Sequence, residues 1–84
     1  MAAEERKNWK ALAKGLLKAE LKRRDLSYAD LAVKLAAIGV ADSERNISNK
    51  ISRGTFSAVF FFQCMEAIGC TAIHLDTSAI PRPD

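Results

Sequence analysis

Two cysteines and one histidine are too few to build a zinc site in this chain. Cys64 and Cys70 are spaced unlike a zinc pair, and His74 alone cannot complete a ligand set. Buried reduced thiols in or near an apolar helix are the expectation. No apolar run reaches the ~18 residues needed to cross a bilayer. The opening Met1-Ala2-Ala3-Glu4-Glu5-Arg6 lacks the apolar stretch of a secretory signal, so a cytoplasmic protein is expected. There is no glycine-rich phosphate loop, no recognisable nucleophile–base pair and no metal constellation. These gaps argue against an enzyme, and no cofactor, metal or small-molecule ligand is expected. No internal repeat or low-complexity segment occurs. The only two prolines, Pro81 and Pro83, fall at the end, so residues 77–84 read as a flexible tail.

What remains is 84 residues, 49% hydrophobic and 27% charged, which fits one folded domain over residues 1–76. So small a core stabilises only marginally, and oligomerisation is a reasonable expectation. The net charge of +3 is unevenly placed. Residues 1–24 carry eight basic groups against three acidic ones, whereas residues 25–84 carry five against seven. A basic first helix beside a near-neutral body suits a phosphate backbone or an anionic membrane surface, or simply a solvated face.

Helical periodicity organises the chain. A first helix is expected from about Glu4 to Arg24, with Trp9, Leu12, Ala13, Leu16 and Leu17 on one stripe and Trp9 as a core anchor. Glu20 falls near the middle of that apolar face and needs a cation to meet it. Ser27 caps a second helix, with Asp30 completing an approximate capping box and Leu26 and Leu31 spaced as a staple. Leu31, Val33 or Lys34, Leu35 and Ile38 carry it to Gly39, a left-handed stop. Asp42 or Ser43 caps a third helix running to about Ser52, with Ile47 and Ile51 inward and Gly54 at its end. A fourth is expected from Ser57 to Gly69. Its Val59, Phe60, Phe61, Phe62, Cys64, Met65 and Ile68 exceed one stripe, so it is central in the core or shared with a partner chain. The run Thr71-Ala72-Ile73-His74-Leu75 reads as a strand or a docked extension, with His74 structural.

The third helix carries the chemistry. Asn46, Asn49, Lys50 and Arg53 follow i, i+3, i+4, i+7 spacing, two amides and two cations with no acid among them. Asparagine pairs bidentately with adenine, and arginine or lysine with guanine, in the major groove. Arg45 and Ser48 lie beside them. Ser27 and Tyr28 at the start of the second helix, and Thr55 and Ser57 before the fourth, are candidate phosphate contacts.

Taken in order, Leu26-Ser27, Leu31-Ala32, Gly39-Val40, Ile51 with Arg53-Gly54, and Ala67-Ile68-Gly69 resemble the Cro/repressor-type (XRE-like) helix-turn-helix domains of bacteria. The resemblance spans most of residues 9–70. Tyr28 stands where those domains usually have glutamine, and Ser52 where they have an acid. The arginine that often pairs with that acid would fall near Leu21. Glu20, paired with Arg53 or another cation, is the candidate replacement. The second helix is nearly a turn longer than usual, and the interval from Gly39 to Gly54 is about three residues longer.

The resemblance implies an all-α, lambda-repressor-like bundle of four to five helices with a short C-terminal extended segment. It implies a transcriptional regulator that binds specific double-stranded DNA, as a homodimer paired through the fourth helix and the C-terminal segment. The alternative is a protein–protein module on the same scaffold. A membrane-surface role for the first helix is weaker, because Trp9 and the leucines are spent on the core.

Overall fold

The computed structural model describes residues 8–73. Among them the regular structure is four helices and no strand: α1 (Trp9–Arg23), α2 (Tyr28–Ala37), α3 (Glu44–Arg53) and α4 (Ala58–Ala67). The fold class is all-α, as expected.

Every helix opens on a short polar side chain that satisfies a free backbone N–H. Asn8 Oδ1 accepts from Ala11 N–H, and Ser27, Ser43 and Ser57 Oγ accept from Asp30, Asn46 and Phe60 N–H, each at 3.0 Å. Asp30 returns the bond by accepting from Ser27 N–H at 2.9 Å, which completes the capping box at α2. Helices α1, α2 and α4 close alike. The N–H of Leu26, Val40 and Cys70 reaches back to the carbonyl of Leu21, Leu35 and Met65, with Asp25, Gly39 and Gly69 left-handed between them.

Pairs four residues apart build the core: Leu17 and Leu21, Leu31 and Leu35, Ile47 and Ile51, Phe60 and Cys64, with Met65 and Ile68 beside them. Helix α3 packs on both α1 and α2, and α2 on α4. Ile47 and Ile51 are the buried side chains of α3, each contributing roughly 1.5–3 kcal/mol of burial. The side of α3 opposite them is exposed. No helix among the described residues is long and apolar enough to cross a membrane.

Several expectations need correction. Helix α1 starts at Trp9, because Asn8 is extended (φ −85°, ψ 91°) and caps it. Glu4 itself lies outside the described residues. Trp9 is 62% exposed and is no core anchor. Leu17 and Leu21 define the buried line of α1, and the 3.6-residue repeat puts Trp9 on its flank. Val33 and Ile38 of the second stripe are exposed for the same reason. Of the two caps left open for α3, Ser43 is the one used, and the helix runs to Arg53, within a residue of the expected end. Cys64 is buried as expected, but Cys70 is only half-buried. Helix α4 ends at Ala67, two residues short of Gly69. Thr71–Ile73 form no strand; His74, Leu75 and the 77–84 tail lie outside the described residues.

Candidate nucleic-acid interface

Opposite Ile47 and Ile51, the outermost line of α3 is Arg45, Asn49 and Arg53, flanked by Asn46 and Ser52, all exposed. Ser48 is half-buried on the side toward α2. The polar face is thus centred one step aside from the stripe drawn through Lys50. Measuring helical phase from the two isoleucines would have found this.

Lys50 does not belong to the outward line. Its ammonium meets Asp42 Oδ2 at 2.6 Å and lies 4.7 Å from the centroid of the Phe60 ring. Asp42 has only 8% of its side chain exposed and also accepts from Ser43 N–H. Lys50 beside it, then Asn46 and the Ser43 N–H, hold its carboxyl below the usual range. The stripe therefore does meet an acid, and that acid ties the second turn of α3 to the loop that starts it. Asp42 and Lys50 are eight residues apart across a cap, a spacing with no periodic signature.

Tyr28 brings the start of α2 to this face. It packs on the core and, with Glu44, Arg45, Ser48 and Asn49, lines a groove of about 330 Å³. Ser27 and Tyr28 also border a neighbouring hollow that includes Lys18 and Lys22 of α1. Lys14 Nζ donates to the Ser52 carbonyl at 3.3 Å, at the far end of α3. The lysine side of α1 consequently runs beside α3, which a wheel of α1 alone does not reveal. Thr55 and Ser57 are not gathered into the groove. They follow Gly54, and Ser57 edges a different, apolar hollow.

Glu20 does find cations, within its own helix. Arg23 meets it at 2.7 Å and Arg24 pairs with its other oxygen, and the two guanidiniums, Arg23 foremost, hold its carboxyl below the usual range. It makes no bridge to Arg53, so the α1–α3 link runs instead through Lys14 and the close approach of Lys10 to Gly54.

The opposite flank of α1 meets α4 along the apolar hollow, of about 510 Å³, between Trp9, Leu12, Leu16, Phe56, Phe61 and Phe62. Phe56 and Phe61 stack with centroids 6.2 Å apart, while Phe62 is 63% exposed. Of the phenylalanine run, only Phe60 is fully committed to the core. Among the described residues no group of three or more His, Cys, Asp or Glu side chains is placed to hold a metal ion.

A family model matches residues 9–73, a stretch that takes in all four helices. The chain belongs to DUF6471. That family is described as a domain of unknown function, so membership delimits the domain without assigning it an activity. Comparison with curated proteins and with solved structures returns no match. For this DUF6471 domain the functional argument rests on the α3 face, the start of α2 and the two unlike flanks of α1.

Proposed function

We propose that this domain binds duplex DNA in a sequence-specific manner, as a transcriptional regulator, with α3 in the major groove. The observation that carries the reading is the line Arg45, Asn49, Arg53 on a helix tied inward by two isoleucines. None of the three is engaged by a carboxylate among the described residues. Asn49 and Asn46 supply the paired donor and acceptor that match adenine, and the arginines the fork that matches guanine. Tyr28 and the Ser27 hydroxyl stand at the positive end of α2, within reach of a phosphate beside the groove. The sequence resemblance to Cro/repressor-type domains supports the same use of α2 and α3. This is a binding role with no catalytic step.

The test is enrichment of bound duplexes from a random library at near-physiological salt, with Asn49→Ala/Arg53→Ala run alongside. A recurring motif that the variant loses is the expected result. No enrichment from a folded sample overturns the reading.

The apolar hollow favours a second reading, a protein-contact surface on the same scaffold. Under the first reading it serves pairing of two copies; under the second it is the main function.

A further inference from the structure

The lysine flank of α1 is a charged feature that the α3 reading leaves unused. Lys14, Lys18 and Lys22 follow at four-residue intervals, so successive ammonium groups start about 6 Å apart along the helix. Two contacts locate the row. Lys14 Nζ sits on the Ser52 carbonyl near the end of α3. Lys18 and Lys22 border the hollow that also holds Ser27, Tyr28 and Glu44, at the start of α2 and α3. The row therefore runs the length of α3 on one side. Among the described residues none of the three lysines pairs with a carboxylate. Glu20, the one acid of α1, is already held by Arg23 and Arg24. Asp25 and Glu44 border the same hollow and weaken its field at that end.

The geometry points to the Lys14–Lys18–Lys22 flank as a second phosphate track, which holds one backbone strand of the duplex whose major groove α3 reads. It rests on the proposed DNA reading and adds to it a site of its own. Its contribution is blind to sequence, because ammonium groups on phosphates carry no base information. Its signature is salt dependence, at about 0.9 in the log–log slope for each phosphate contact. Glu44 opposes the same strand, so its removal strengthens binding.

The test measures affinity by fluorescence anisotropy against salt, on the duplex selected from the library and on a scrambled one. Lys18→Gln/Lys22→Gln is compared with the unsubstituted chain and with Lys18→Arg/Lys22→Arg. Lys14 is spared because of its bond to Ser52. The expected result is a slope shallower by about 1.8 and an affinity at least tenfold weaker on both duplexes. The ratio between the duplexes stays unchanged, the arginine variant restores the slope, and Glu44→Gln binds two- to fivefold tighter. An unchanged slope in the glutamine variant, with normal melting, overturns this inference alone. So does a loss confined to the selected duplex. Failure of the unsubstituted chain to bind any duplex removes the DNA reading together with it.

Discussion

Gly54 meets two demands at once. Its φ of +69° lies in the left-handed region, and a Cβ built there would fall 2.5 Å from the Lys10 carbonyl oxygen. The first demand costs an L-residue roughly 1–2 kcal/mol. The second forces backbone of α1 to move, because the obstructing atom is no flexible side-chain end, and overpacking adds about 1–3 kcal/mol. Gly54→Ala is therefore expected to destabilise the domain by about 2–5 kcal/mol, read from chemical denaturation. Asp25 makes the contrast. It holds φ 57° at the end of α1 without glycine's freedom, where a short polar side chain tolerates the left-handed region better than most. The glycine was legible as a helix stop. Its contact with Lys10 was not, because it joins residues 44 positions apart and leaves no local pattern.

Helix caps are where sequence and structure agree best. Ser27 with Asp30 acts through bonds no longer than one helical turn, so the spacing alone identifies the pair. The pairs Leu31 with Leu35 and Ile47 with Ile51 were legible for the same reason, since four-residue spacing is a local property, whereas Leu21 was left out of the α1 stripe. Trp9 and Lys50 were misread because each depends on which neighbouring helix lies beside it. Periodicity locates a stripe but not the partner that covers it. The element ends also carry a pH signature. The carboxyls of Asp42, Glu20 and Asp30 are all held low, by Lys50, by Arg23 with Arg24, and by the Ser27 N–H respectively. A carboxyl whose folded pKa lies below its unfolded one stabilises the fold at pH above the unfolded value. That contribution is lost as pH falls through the folded value. Thermal melts should thus be flat near neutrality and drop once pH passes below about 4, the ordinary carboxylate region. Asp42→Asn should melt lower at pH 7 but show a shallower acid fall, since one of the linked groups is gone. An acid profile identical to that of the unsubstituted chain would detach Asp42 from stability.

At the scale of the whole molecule, α1 divides two surfaces of opposite character. One flank is a row of lysines beside α3; the other is an apolar hollow shared with α4. Trp9 and Phe62, at 62% and 63% exposure, form part of a continuous apolar lining and are not scattered singly. Large aromatic side chains bury roughly 150–250 Å² each, so leaving both in water forgoes several kcal/mol. A second copy of the chain is the occupant consistent with the proposed function. Sedimentation equilibrium at tens of micromolar should give a dimer for the unsubstituted chain and a monomer for Trp9→Ser/Phe62→Ser. Because neither side chain is buried in the described fold, the variant should keep a near-normal melting temperature. The library should return an inverted repeat for the dimer and only its half-site, bound more weakly, for the variant. A chain that is monomeric throughout, yet still selects a motif, would separate the two surfaces. DNA reading would then stand on α3 and the lysine flank alone, and the hollow would belong to a different protein partner.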